Sequence, residues 1–381
     1  MSFLKTLRLR NFRSYSEAGL TGLASNFVIL TGSNGAGKTN ILEALSYLTP
    51  GRGLRSAQLG DLQNRELRVP WGIHAVVEAG FGPVDIHMNP DPVQSKRIIK
   101  IQGEQVKSQS VLGDYLSCLW LTPQMDRLFI EAASARRRFL DRMVFAFDPG
   151  HAGRITRYDH ALSQRAHILH DTQLPSSCSA ATSSWLDSLE SQMAQSAVAI
   201  TAARLDFIDR LQKVCARRPS AHFPIARLAV SGEVEDLLLT HSAAKTEQIF
   251  KEKLARLRAQ DAAKGGAHVG PHRSDFLVSY EAKSMPAHEC STGEQKALLI
   301  GLILAHADLI RAERGSAPIL LLDEVAAHLD PTRRAALYDM LEHLKAQVWM
   351  TGTEREIFKE LDHRAQFFSV EHSQITPSTN L

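Results

Sequence analysis

The sequence predicts an α/β fold: a mixed sheet domain with antiparallel hairpins, interrupted by a mostly helical second domain. Three observations carry this. Strand-like alternation and short apolar runs dominate the first 125 residues, helical spacing takes over from about Asp126 to Ala263, and a fully apolar strand returns at Ile319 to Leu322. The expected division is therefore a discontinuous sheet domain, 1–125 and 264–381, with 126–263 inserted into it.

The first strand is read from Leu7 and Leu9 alternating with Arg8 and Arg10, and the next from the apolar run Asn26 to Leu30, which stops at a glycine. Alternation recurs between Trp71 and Ile101, with Gly80, Gly82 and Pro83 as turn formers, which predicts antiparallel hairpins. Leu116 to Leu121 reads as a further strand, stopped by Thr122 and Pro123. In the insertion, Trp185, Leu189, Met193, Ala197, Ile200, Phe207, Leu211 and Cys215 form an apolar stripe at helical spacing. It predicts one amphipathic helix of roughly 45 Å, closed by Arg217, Arg218 and Pro219. A weaker helix is expected over Lys245 to Ala259, and Asp171 to Ser184, rich in Ser, Pro and Ala, reads as a loop.

Composition excludes more than it assigns. With 381 residues, 44% hydrophobic and 22% charged, the chain matches a folded globular protein with a sizeable core. Its longest apolar stretch, Ala297 to Ala305, falls short of the ~18 residues of a membrane span. The start, MSFLKTLRLRNF, lacks the apolar core of a secretory signal, so a cytoplasmic location is expected. Four cysteines (Cys118, Cys178, Cys215, Cys290) lie far apart without a CxxC pair and are read as buried thiols. A formal charge of +3 is too near balance to argue for nucleic acid. Locally, Arg136, Arg137, Arg138, Arg142, Arg154, Arg157 and Arg165 outweigh Asp141, Asp148 and Asp159. Two readings fit: a basic patch meeting DNA phosphates, with Arg136, Arg137, Arg138 and Arg142 foremost, or a solvated helix face with local ion pairs.

Gly32-Ser33-Asn34-Gly35-Ala36-Gly37-Lys38-Thr39 fits GxxxxGK[ST], the Walker A loop, with Asn40 following. Glycines let successive backbone N–H groups turn onto phosphate oxygens, Lys38 supplies a cation to the β/γ-phosphates, and Thr39 offers a hydroxyl to Mg²⁺. The loop stands between the strand Phe27 to Leu30 and an apolar-periodic helix through Ile41, Leu42, Leu45 and Leu48, as that mechanism requires. Far downstream, Ile319-Leu320-Leu321-Leu322-Asp323-Glu324 resembles a Walker B segment. Asp323 would complete the Mg²⁺ shell and Glu324 would polarise the attacking water. The two halves of one site thus flank the insertion.

Ser291-Thr292-Gly293-Glu294-Gln295-Lys296 opens the apolar helix Ala297 to Ala305 and resembles the signature motif of ABC-type ATPases; it also reads as an ordinary helix-capping turn. Val325 to Asp330 resembles their D-loop. After the strand Gln347 to Met350, glycine (Gly352) stands where the switch histidine is usual, with Thr351 and Thr353 as candidate substitutes. Gln124 occupies the position of a Q-loop glutamine, which would make it a catalytic residue and a third Mg²⁺ contact beside Thr39 and Asp323; alone, it also reads as a surface residue.

Together these segments resemble the RecF family of bacterial DNA-repair ATPases, related to the SMC-like ABC heads. The resemblance covers nearly the whole chain and rests on LRLRNFRSY (7–15), GSNGAGKTN (32–40), RRRFLD (136–141), GPHRSDF (270–276), STGEQK (291–296) and LLLDEVAAHLD, ending at Asp330. SMC proteins carry arms of hundreds of residues, so the arm here must be short and antiparallel. The resemblance implies an ABC/SMC-head-like P-loop ATPase using ATP and Mg²⁺. It implies a homodimer in which Ser291, Thr292, Gly293, Glu294 and Gln295 complete the partner's nucleotide site. It further implies a clamp on duplex or gapped DNA, RecR and RecO as partners, and RecA loading in replication, repair and recombination. Arg13 matches a family arginine near the nucleotide and equally fits an exposed strand. For His272, Arg273 and Asp275 a buried ion cluster between domains is the reading preferred to a catalytic one. Two other functions share the Walker chemistry: the ATP-binding subunit of a membrane transporter, and an interaction module with little turnover.

Overall fold

A computed structural model describes residues 2–67, 69–94, 96–171, 180–217 and 222–378, with the backbone alone of His328. The chain forms two compact units, Met1–Asp126 with Pro219–Phe223 and Leu299–Leu381, and Arg127–Arg218 with Pro224–Leu298.

In the first unit, β1 (Phe3–Phe12) buries Leu4, Leu7 and Leu9 while Arg8 and Arg10 face out. A register shift between Leu4 and Thr6 brings Leu4 onto the face of Leu7 despite their odd spacing. β2 (Tyr15–Thr21) pairs with β1, β3 (Phe27–Thr31) leads through the glycine loop into α1 (Lys38–Ser46), and β4 (Gly72–Ala79), β5 (Gly82–Pro90), β6 (Arg97–Ile101) and β7 (Glu104–Gln105) follow, then β8 (Cys118–Leu121). The expected hairpins are present, as an antiparallel sheet of order β2-β1-β4-β5-β6-β7. Its inner face and Ile41, Leu42 and Leu45 of α1 share one buried core. Each such leucine or isoleucine removed from water contributes about 1.5–3 kcal/mol, which fixes α1 against the sheet.

The second unit contains α2 (Ala133–Phe145), α3 (Gly150–Asp171), α4 (Ala180–Arg217), β9 (Ala226–Ser231), α5 (Glu233–Thr240), α6 (Ala243–Arg256), α7 (Arg258–Lys264), β10 (Asp275–Tyr280) and β11 (Met285–Pro286). α8 (Thr292–Arg314) begins in this unit and ends in the first. α3 and α4 form the short antiparallel arm, around Tyr158, Ile168, Leu186, Leu189, Met193 and Ile200. Arg165, 1% exposed, bridges three helices: it meets Glu190 at 2.9 Å and Asp261 at 2.8 Å, and donates to the Leu254 carbonyl.

Several expectations need correction here. α4 spans 38 residues, about 57 Å, because Ala180–Ser184 joins the helix rather than the loop. Trp185 is 54% exposed and the adjacent Leu186 takes the inward position, while the rest of the stripe is buried. The weaker helix is two, α6 and α7, broken at Leu257 where ψ reaches 0°. The loop residues 172–179, with Cys178, and the closing Arg218 and Pro219 lie outside the described residues. β9 runs through the segment read as helical and pairs antiparallel with β10, so residues 264–298 group with the second unit. Ala229 on its outer face masked the alternation. Cys118, Cys215 and Cys290 are buried thiols, as read from the sequence.

The chain then returns through β12 (Ile319–Leu322), α9 (Pro331–Leu344), β13 (Val348–Gly352), β14 (Ala365–Glu371) and β15 (Gln374–Pro377). With β3 and β8 they form a sheet of order β15-β14-β3-β13-β12-β8, parallel except for the terminal hairpin. Its registers align Leu121 with Leu322, Leu322 with Met350, and Gly352 with Thr31. Four strand ends therefore open at one edge, where parallel α/β sheets bind ligands.

Candidate nucleotide-binding site

The glycine loop leaves β3 and caps α1 with Gly37 at φ 114°, a conformation that side chains avoid. A Cβ there would also stand 2.7 Å from Tyr15 Oη. Lys38, 4% exposed, donates to the carbonyls of Gly32 (2.6 Å) and Ser33 (2.9 Å). Burial pushes its ammonium below the ordinary lysine range, and the charges of Glu324 and Asp323 oppose that shift.

β12 delivers Asp323 to the same edge. Thr39 Oγ1 lies 3.1 and 3.0 Å from its two carboxylate oxygens, so the halves of the motif separated in sequence meet within the first unit. From the neighbouring strand, Thr351 Oγ1 donates to Asp323 Oδ1 at 2.7 Å and accepts the Glu324 N–H at 2.9 Å. One hydroxyl thus fixes both acids, and Glu324 holds a left-handed φ of 54°. Burial raises the Asp323 carboxyl above its usual value, while Thr351 and Thr39 stabilise its charged form. Gln124, exposed, follows β8 beside β12.

Ahead of the loop, Arg13 holds Glu43 of α1 through two bonds of 2.9 and 2.7 Å, joined by Arg55 at 3.0 Å. Asn40 donates to Ser14 and accepts from Arg55. In the second unit, Ser291 and Glu294 cap α8 reciprocally: the Ser291 N–H and hydroxyl donate to Glu294 Oε2 at 3.0 and 2.9 Å. Lys283 and these donors hold the Glu294 carboxyl down at about 2. Gln295 donates to the Cys290 carbonyl, and Thr292 and Gly293 are exposed in the first turn. Asp330 caps α9 by accepting the Arg333 N–H.

A model of the RecF/RecN/SMC N-terminal domain matches residues 3–376. A relative from Rhizobium rhizogenes, named DNA replication and repair protein RecF, is 44% identical over 379 residues, covering 99% of each chain. The chain belongs to the RecF family. A solved RecF in the RecFOR pathway, with ATPrS, superposes with a TM-score of 0.87 at 21% identity, covering 99% of this chain and 98% of the other. The SMC head of Pyrococcus furiosus, bound to the C-terminal domain of ScpA, gives 0.54 at 14% identity, covering 100% and 97%. The fold is accordingly the SMC-like, ABC-type head with a short arm.

Against that RecF frame the arginines of the basic run divide. Arg136 is bidentate on Asp275 (2.8 and 2.7 Å), Arg137 donates to the Ser274 carbonyl, and Arg142 lies 5.3 Å from the Phe139 ring centroid. Arg136 and Arg137 thus pair inside the second unit, and Arg138 is exposed. GPHRSDF belongs to that network. His272 bonds Tyr158 Oη (2.8 Å) and the Ala267 carbonyl, Arg204 donates to the Pro271 carbonyl, and burial lowers the His272 pKa. Its partners all lie in the second unit, which corrects the reading of an inter-domain cluster, and Arg273 is exposed rather than buried. Sequence reasoning missed Glu43 and Arg55; a buried acid inside the motif's helix was the available signal.

Proposed function

We propose that this RecF-family chain is a slow, DNA-stimulated ATPase of DNA repair whose ATP-bound form is a homodimer clamped on duplex or gapped DNA. The observation that carries the reading is the Thr39–Asp323–Thr351–Glu324 constellation at the strand ends beside Lys38. The donor set fits Mg²⁺, a hard cation that takes one or two oxygen ligands from protein and the rest from phosphate and water. Thr39 and Asp323, with Gln124, would hold it; bound there, it would neutralise charge building on the β- and γ-phosphate oxygens. Lys38 exchanges its loop carbonyls for phosphate oxygens, and the N–H groups from Gly35 to Asn40 cradle them. Glu324 accepts the proton of the attacking water, its backbone held by Thr351.

Ser291 and Gly293 of a second copy close the γ-phosphate side, so ATP links two chains and hydrolysis releases them. Arg13 orders the loop through Glu43 and contributes to nucleotide binding from there. DNA is bound through its phosphates, with little sequence preference and steep salt dependence. The names carried by the relatives support replication and repair within a RecFOR pathway; RecR and RecO as partners, RecA loading as the output and a cytoplasmic location belong to the same proposal. Among the described residues no helix is long and apolar enough to cross a membrane, and family membership favours this reading over a transporter subunit. Slow turnover has its own support. A Cβ at Gly352 would stand 2.5 Å from the Phe358 ring, so no switch side chain fits there.

The test is ATP hydrolysis with and without duplex DNA, in the wild type and Lys38→Ala. Stimulation by DNA in the wild type and loss of activity in the variant are expected; equal turnover in both would remove the loop from the reaction.

A further inference from the structure

Strand pairing in the antiparallel sheet gathers three side chains that the nucleotide site does not use. The inward residues Ile73, Ala75 and Val77 of β4 and Val84, Ile86 and Met88 of β5 are buried, so the pleat turns His74, Asp85 and His87 outward. A slip of one residue would bury the polar set, which fixes the register. His74 and His87 are direct cross-strand partners, and Asp85 shares their face two positions from His87. His74 Nε2 lies 2.6 Å from Asp85 Oδ2, and His87 Nε2 lies 2.7 Å from Asp85 Oδ1. The imidazoles stack 4.1 Å apart and 5° from parallel.

We propose that His74, Asp85 and His87 bind a divalent transition-metal ion of the zinc class. One ligand atom from each residue lies within 4.8 Å of the others, on a framework set by six buried neighbours. Two imidazole nitrogens and a carboxylate suit Zn²⁺, whereas Mg²⁺ and Ca²⁺ select all-oxygen shells. When both Nε2 atoms carry hydrogen, they donate to the one carboxylate, as the short distances allow. With an ion, both Nε2 lone pairs and a carboxylate oxygen turn onto it, and in each neutral ring the hydrogen moves to Nδ1. The side chains are 25%, 35% and 45% exposed for His74, Asp85 and His87, so the remaining coordination positions open to water, as in an exchangeable site. Arg8 and Lys100 stand opposite His74 and His87 on the flanking strands, and their charges oppose a dication. Affinity is therefore below that of a closed four-ligand centre. The inner face of the same sheet packs with α1, so this site and the Thr39–Asp323 pair lie on opposite sides of it.

Zinc titrated calorimetrically into the metal-stripped full chain, with excess Mg²⁺ present, should show one saturable site per chain. Cobalt placed there should give visible ligand-field absorption. The variants H74Q, D85N and H87Q alter part-exposed side chains, so misfolding of one leaves the others to decide, with far-ultraviolet circular dichroism as the check. Each folded variant should lose the zinc site and the cobalt bands. Absence of saturable zinc binding in the wild type, or the same stoichiometry in the folded variants, overturns the assignment.

Discussion

Thr351 orders more of the geometry around Asp323 and Glu324 than its place one residue before the usual switch position suggests. Its hydroxyl donates to Asp323 and accepts from the Glu324 backbone, which in the proposed reaction makes it a positioning residue for both acids. Thr351→Val keeps the volume and leaves a buried carboxylate oxygen and an N–H without that partner, at a cost of about 1–3 kcal/mol. Placed on the transition state, that is roughly a five- to 150-fold loss of kcat, with the KM for ATP little changed and activity recovered in Thr351→Ser. Wild-type turnover in Thr351→Val would remove the role. Lys38, Thr39, Asp323 and Glu324 were legible in the sequence because phosphate and metal chemistry demand those residue types at fixed spacing. The hydroxyl bridge was not, since it depends on the register of β13 against β12. Arg136 and Arg137 were visible as charge, but their partners Asp275, first residue of β10, and Ser274, just before it, lie far along the chain, and spacing carries no trace of that pairing.

At the scale of elements, the GPHRSDF turn organises the second unit by meeting α2, α3 and α4 through Arg137, Tyr158 and Arg204. Gly270 sits at φ 127°, and a Cβ there would stand 2.3 Å from Tyr158 Oη and 3.1 Å from Phe250. Gly270→Ala combines backbone strain with a clash against a fully packed ring, so urea unfolding should show a loss of about 1–3 kcal/mol or more. An unchanged midpoint would mean that the turn relaxes freely. The sheets and the long helix were readable because their periods recur over many residues. β9 was not: it is short, and a small outer residue blurred its period. Trp185 was read inward because it stands four residues before Leu189, yet Leu186, three residues before Leu189, takes that position.

At the scale of the molecule, the Walker residues belong to one compact unit and the Ser291–Glu294 cap to the other, with α8 shared between them. That division suits a machine in which ATP recruits the signature of a second copy. The insertion's position between the two Walker segments was legible from the chain order. Its boundary was not, because the β9–β10 pairing draws residues 264–298 into the second unit. The central claim is that nucleotide joins two chains, and hydrolysis parts them. Sedimentation velocity of Glu324→Gln with and without Mg²⁺-ATP tests it most directly. A species near twice the 42.1 kDa of one chain should accumulate with ATP, persist through the run, and be absent without nucleotide. A single 42.1 kDa species at saturating ATP would contradict the account.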